Sequence, residues 1–237
     1  MENLLRFSDY DIFAYITAGF AALAAWDYVF GTHWIVGADW SAAAGVVTVF
    51  AAYVAGHIAA WPAAWLLERR FVRRVLGTPS AALFGKAPPG RFSGTKRKLF
   101  PDYYTPLDCH VADRVRLQAV ADGQAGDSGE GLFWAAFARA KCDAMTYARM
   151  DGFLKLYGFC RNIAFVGIVA AVAIIAAMVW GARAGEALAD ARSHLLWASV
   201  SLLAGVAMFY RYLKFHRLYA VEVFLGYINS NLLVRGK

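Results

Sequence analysis

The sequence predicts an all-α polytopic membrane protein with four transmembrane helices. It also predicts a helical cytoplasmic lobe, built from the loop between the second and third spans together with the C-terminal helix. Three observations carry this expectation. The 237-residue chain is 60% hydrophobic, with a mean hydropathy of +0.44 and only 17% charged residues, against about a quarter in ordinary soluble domains. Its uncharged runs are few and long. Its basic residues are concentrated in alternate segments, with only Arg183 and Arg192, offset by Glu186 and Asp190, in the last predicted outer loop.

The spans follow from the uncharged runs. Ile12 to Trp26 lies between Asp11 and Asp27, and extends past Asp27 to Ala38 if that carboxylate sits at the far interface. Trp40 to Leu67 is 28 residues, Asn162 to Ala182 is 21 and Ser193 to Tyr210 is 18. Crossing a bilayer takes about 20 mainly apolar residues, whereas buried helices of soluble proteins seldom carry more than ~12–14 in a row. A secretory signal needs a basic n-region, but Glu2, Asp9 and Asp11 outnumber the lone Arg6. The first span therefore reads as a retained helix, even with the weak A-x-A pattern at Ala22 and Ala24.

The predicted organisation is a transmembrane hairpin over 1–67 (spans about 12–30 and 41–67) and a basic cytoplasmic region over 68–160. A second hairpin covers 161–210 (spans about 162–182 and 193–210), and a cytoplasmic helix covers 211–237. Charge gives the orientation. Of 24 Lys and Arg residues, sixteen fall between Arg69 and Arg161 and five from Arg211 onward; Gly31 to Asp39 has none. Basic residues stay on the cytoplasmic side, so the expectation is N-in, C-in in a bacterial inner membrane. Trp26, Trp34, Trp40, Trp180 and Trp197 then mark the outer interface, with Trp61 and Trp65 at the inner one, as indole favours the headgroup level.

Small residues suggest how the spans pack. Ala52, Gly56, Ala60 and Ala64 form a ridge at four-residue spacing, Ala173, Ala177 and Gly181 another, and Ser201 with Gly205 a third. Such faces let backbones approach closely where lipid supplies no hydrophobic drive, and they raise the expectation of a homo-oligomer. Pro62 should kink the second helix near its inner end.

Past the second span, Glu68 to Leu76 (ERRFVRRVL) should continue the helix. The breakers Gly77, Pro79, Pro88, Pro89, Gly90, Gly94, Pro101 and Pro106 then argue for irregular structure. Leu107 to Ala121 can form a short helix, and Asp122 to Gly131 is a polar connection. From Leu132 a helical period returns through Phe133, Phe137, Ala140, Ala144 and Tyr147, with nothing that clearly breaks it before the third span. Leu218, Val221, Leu225, Ile228 and Leu232 continue the last span as an apolar stripe.

Among candidate functional residues, His57 stands near the midplane, eleven residues before Glu68 or roughly 16 Å at 1.5 Å per residue. Intramembrane ionisable groups usually face a cavity, partner or pathway; the plainer reading is a neutral imidazole bonded to a neighbouring helix. Asp27 is the other intramembrane polar candidate, close to the outer surface. Arg69, Arg70, Arg73 and Arg74 sit at the inner face, where anionic headgroups are the expected partners at about 1 kcal/mol per charge. Lys96, Arg97 and Lys98 lie on the breaker-rich loop and suit lipid, nucleotide or nucleic acid. Cys109, Cys142 and Cys160 should be free thiols in a reducing cytoplasm. No C-x-x-C, Walker loop, G-x-S-x-G or H-E-x-x-H occurs, so no cofactor, metal or catalytic residue is expected.

The layout, with the textures YDIF at Tyr10–Phe13, GH at Gly56–His57, FCRN at Phe159–Asn162 and RYLKF at Arg211–Phe215, resembles the small membrane proteins that accompany prokaryotic anti-phage and CRISPR-type defence systems. The resemblance implies an oligomeric inner-membrane effector that perturbs or permeabilises the bilayer. A cytosolic protein partner or a nucleotide or nucleic-acid signal would control it through the lobe. A membrane anchor or scaffold, a small channel or transporter working through His57, and a membrane enzyme are the alternatives.

Overall fold

The structure, a computed structural model, describes residues 11–35, 41–86, 90–124, 130–183 and 191–235. Expectations resting on Glu2, Arg6 and Asp9, on Asp39 and Trp40, on Pro88 and Pro89, on the loop 184–190 and on the Leu232 side chain lie outside the described residues. All regular structure among the described residues is helical. Helix α1 is Thr17–Phe30, preceded by a π-helical turn Asp11–Ile16. Helix α2, Ala42–Ala63, passes into a π-helical stretch Ala64–Leu76. Helices α3 (Pro79–Leu83) and α4 (Ser93–Leu99), a 3-10 turn Asp102–Tyr104, α5 (Cys109–Ala121) and α6 (Glu130–Ala140) follow. Two long helices close the chain, α7 (Ala144–Arg183) and α8 (Ala191–Arg235).

Three of the described helical stretches are long and apolar enough to cross a membrane: Ala42–Leu83, Ala144–Gly181 and Ala191–Asn229. Ala14–Phe30 is apolar but shorter. The chain divides into two compact units, one of Met1–Leu67 with Gly158–Tyr212 and the other of Glu68–Tyr157 with Leu213–Lys237.

In the first unit the helices meet through their backbones. A Cβ placed on Gly19 would lie 1.7 Å from the Ala52 carbonyl oxygen, and one on Gly56 would lie 2.0 Å from that of Tyr15. α7 and α8 make a similar approach at Gly167 and Gly205, where a Cβ on Gly167 would meet the Ser201 carbonyl at 2.8 Å. Ala52 and Gly56 of the predicted ridge are therefore used inside the chain, with Ala60 and Ala64 half-buried beside them. Many large side chains on the same helices point outward, among them Val46, Phe50, Ile58, Val172, Trp180 and Leu203.

Beyond Pro62 the helix changes its turn. Proline offers no N–H to the ladder and crowds the carbonyl four residues back, and a wider i→i+5 turn follows. It runs to Gly77, whose N–H reaches the Val72 carbonyl at 2.8 Å. The buried positions of this stretch, Ala63, Leu67, Val72 and Leu76, recur at steps of four, five and four, which suits the wider turn.

The second unit has a core of its own. Leu83, Val115, Ala119, Leu132, Ala136, Met150, Val223, Phe224 and Tyr227 are fully or nearly fully buried together. Phe84 and Phe133 pack edge-on against Phe224 at 5.2 and 6.0 Å. The buried face of α8 here is Ala220, Val223, Phe224, Tyr227 and Ile228, so of the predicted apolar stripe Ile228 is in the core while Leu218, Val221 and Leu225 are half-buried at its flank.

Two expectations from the sequence are corrected here. The helix from Leu132 does not run unbroken into the third apolar stretch: it stops at Ala140 and resumes at Ala144. Asp143 accounts for the restart, because its carboxylate accepts the Thr146 N–H at 2.9 Å and caps the new helix. The breaker-rich segment after Gly77 is also more regular than expected. Proline suits the first turn of a helix, and Pro79 opens α3 behind the Thr78 cap while Pro101 precedes the 3-10 turn. Lys96, Arg97 and Lys98 accordingly sit on the short helix α4, not on an irregular loop.

Candidate ligand-binding site

The second unit holds a cavity of ≈ 150 Å³. The end of the Ala64–Leu76 stretch supplies Glu68 and Arg73, the turn into α3 supplies Thr78 and Ser80, and α6 supplies Glu130, Phe133 and Trp134. α7 adds Tyr157, and α8 adds His216 and Tyr219. The Tyr157 hydroxyl donates to Glu68 Oε2 at 2.7 Å, and its ring lies 5.2 Å from that of His216. Phe133 meets Trp134 edge-on at 5.7 Å and lies 6.3 Å from Tyr219. Arg73 Nη1 stands 3.8 Å from Glu130 Oε1, with the two side chains 50% and 63% exposed. An ion pair so open to water contributes little by itself.

One wall is fixed by an arrangement that closes the π-helical stretch. The last carbonyls of a helix lack intrahelical partners, and here the side chains of three residues supply them. Lys96 Nζ donates to the Val75 carbonyl at 2.7 Å, Tyr104 Oη to that of Leu76 at 2.9 Å, and Tyr103 Oη to that of Gly77 at 2.8 Å. Burial pushes the Tyr104 hydroxyl up to about 12, with nearby Arg97 pulling the other way, and raises Tyr103 further. Both hydroxyls are therefore protonated donors at neutral pH. Lys96, predicted as part of a ligand-binding basic cluster, is bonded to the helix end; Arg97 and Lys98 are on α4 with it.

A second polar cluster joins α5, α6 and α8. Asp122 receives hydrogen bonds from Arg139, from Tyr227 Oη at 2.7 Å and from Gln118 Nε2 at 2.9 Å. Partial burial pushes its carboxyl up, but the Arg139, Tyr227 and Gln118 bonds outweigh it and hold the group below the ordinary carboxylate range. Its partners are structural neighbours that fix α6 and α8 against the end of α5.

The remaining predicted residues are placed as follows. Arg69, Arg70, Arg73 and Arg74 are all exposed on the π-helical stretch. His57 is exposed on the outer side of the α1–α2 pair, its ring stacked on Tyr15 at 3.8 Å and edge-on to Tyr53 at 4.5 Å. Asp27 is 4% exposed. Its carboxylate accepts from the Thr32 hydroxyl, from the Trp34 N–H at 2.7 Å and from the Ile35 N–H at 3.1 Å. Those bonds organise the turn after α1, in which His33 takes a left-handed backbone (φ 50°) that a non-glycine residue adopts only under such constraint. Neither Asp27 nor His57 is among the residues that line the cavity.

Sequence reasoning did not single out Trp134, Tyr157 or Tyr219 of the cavity, and gave no role to Arg161 or Asn162. Asn162 is fully buried; its amide donates to the Ala14 carbonyl at 3.0 Å, while Arg161 Nη2 lies 3.2 Å from its oxygen. The available signal was a polar pair at the mouth of an apolar run. Cys109 and Cys142 are exposed and Cys160 buried, all three as free thiols. Among the described residues no group of three or more His, Cys, Asp or Glu could hold a metal ion. Comparison with family models, curated proteins and solved structures finds no match to this chain.

Proposed function

We propose that this chain is a four-span inner-membrane protein whose second unit, on the cytoplasmic side, receives a small ligand or a partner on behalf of a membrane-anchored function. The observation that carries this reading is the cavity in the second unit, built from five separate stretches of sequence, in a chain that also carries membrane-length helices. The fourth span would be Ala14–Phe30, whose 17 residues extend about 26 Å at 1.5 Å per residue, the lower end of what a bilayer crossing requires. The N-in, C-in orientation rests on the Lys and Arg distribution. With that orientation Arg69, Arg70, Arg73 and Arg74 meet anionic headgroups, each adding about 1 kcal/mol.

The effector reading, in which copies assemble and perturb the bilayer in anti-phage defence, takes second place. Assembly through the small-residue ridge needs that ridge open to a second copy, and Ala52 and Gly56 already contact the backbone of the preceding helix. Cysteine accessibility in intact cells tests the primary reading. An impermeant reagent should label a cysteine placed at Thr32 and leave Cys109 and Cys142 untouched. Labelling of Cys109 from outside would sink it. Depolarisation on expression with an activating partner, together with oligomers in nanodiscs, would put the effector reading first.

A further inference from the structure

We propose that the cavity in the second unit binds a small organic cation, an alkylated or protonated amine. This deepens the receiving role proposed above and rests on it for its biological meaning, although the chemistry belongs to the cavity alone. Five rings line it, those of Phe133, Trp134, Tyr157 and Tyr219 and the imidazole of His216, with the carboxylates Glu68 and Glu130. Aromatic faces attract a cation through the ring quadrupole, most strongly where water is excluded, and an alkylammonium group suits such a wall better than a bare metal ion does. The carboxylates supply the counter-charge. Tyr157 holds Glu68 in place by its 2.7 Å hydrogen bond, so the carboxylate is oriented before any ligand arrives.

Arg73 is the residue at which a cationic and an anionic ligand are told apart. Its guanidinium lines the cavity 3.8 Å from Glu130, and both side chains are at least half exposed. A pair that open is weakly held, and an entering ammonium group replaces Arg73 at the Glu130 carboxylate. Arg73 is therefore a competitor of a cationic ligand, whereas it would be the anchor of an anionic one. The two ligand classes make opposite predictions for Arg73→Ala.

The ammonium group could come from a free amine or from a lipid headgroup. The test uses purified full-length protein in nanodiscs, with Trp134 fluorescence and calorimetry as readouts. Tetramethylammonium and choline are titrated in discs of phosphatidylglycerol alone, then in discs that also hold phosphatidylcholine. Saturable binding is expected, weakened roughly two- to fivefold by Trp134→Ala, the size of one solvent-exposed cation–π contact. Glu130→Gln should weaken it in the same direction, and Arg73→Ala should tighten it. Trp134 and Glu130 are both more than half exposed, so these variants leave the fold in place, checked by circular dichroism. Tight binding only in discs lacking phosphatidylcholine identifies the headgroup as the competing source; equal binding in both identifies the free amine.

No saturation at millimolar ligand in either disc overturns the proposal. So does binding that Arg73→Ala weakens, which would mark an anion site and leave the receiving role standing. Cys109 labelled from outside removes that role without touching the binding result.

Discussion

The two units solve the same problem, holding helices together, with different materials. In the first, the buried apolar residues are mostly small, Ala14, Ala18, Ala52, Ala164, Ala171 and Ala198 among them. The close approaches run through Gly19, Gly56, Gly167 and Gly205. In the second, the buried side chains are large, with Leu83, Met150, Phe224 and Tyr227 at the centre. Where the surroundings are as apolar as the side chains, nothing is gained by turning a phenylalanine inward, and contact comes from bringing backbones together. Where water surrounds the helices, burial of large apolar groups is the main drive. The contrast in packing is the one that two different solvents would produce.

The comparison can be broken most decisively at Gly19. A leucine there must displace the Ala52 carbonyl, and we expect a loss of more than about 3 kcal/mol, at the upper end for overpacking. Thermal unfolding in detergent should show the first unit collapsing; an unchanged midpoint would mean the helices do not meet as described. Phe224→Ala should cost about 3–5 kcal/mol as a large core truncation, with amide exchange accelerating in α5, α6 and the end of α8. Exchange rising equally in α1 and α2 would contradict a separate core.

Asp122 sharpens the comparison through pH. Its carboxyl is lowered in the fold, so its contribution is complete above the unfolded value of ~3.9 and is lost as pH falls through the lower folded value. Denaturant unfolding of the second unit should therefore weaken progressively below about pH 4. Asp122→Asn should remove part of that dependence and cost about 1–2 kcal/mol at neutral pH, as for hydrogen bonds to a charged group. A variant with the wild-type acid profile would show that another carboxylate is responsible. The smallest effect is expected at Phe50, which is 68% exposed. Phe50→Ala should change unfolding in detergent by less than ~0.5 kcal/mol, against several for the same substitution at Phe224.

The helical class and three membrane-length helices were legible because runs such as Asn162 to Ala182 leave few other options for an uncharged stretch of that length. What escaped was decided by single side chains acting at a distance. Asp143 restarts a helix whose apolar period continues smoothly across 141–143, so the pattern alone hid the break. Asp27 read as a charge at the end of a span, yet it gathers the backbone of 34 and 35, a role that depends on where the chain turns. Of the cavity, Arg73 read only as part of a basic cluster and Phe133 as one step in a helical period. Its partners Tyr157, His216 and Glu68 lie far apart in sequence and are joined only by the fold. Lys96 read as part of a ligand-binding basic cluster because nothing local reveals that the Val75 carbonyl is within its reach.

The π-helical stretch after Pro62 has a consequence for how this chain can vary. Its buried residues advance by four, then five, then four positions from Ala63 to Leu76, so the five-step holds one residue more than an α-helical repeat would use. A one-residue deletion between Leu67 and Val72 would convert the run to even steps of four, a spacing that stays near one face of an α-helix. Elsewhere in a helix a deletion rotates everything downstream by about 100°, which follows from 3.6 residues per turn. Here Val72 and Leu76 would keep a buried face after it. The segment is therefore a place where the loss of one residue would keep the buried face aligned.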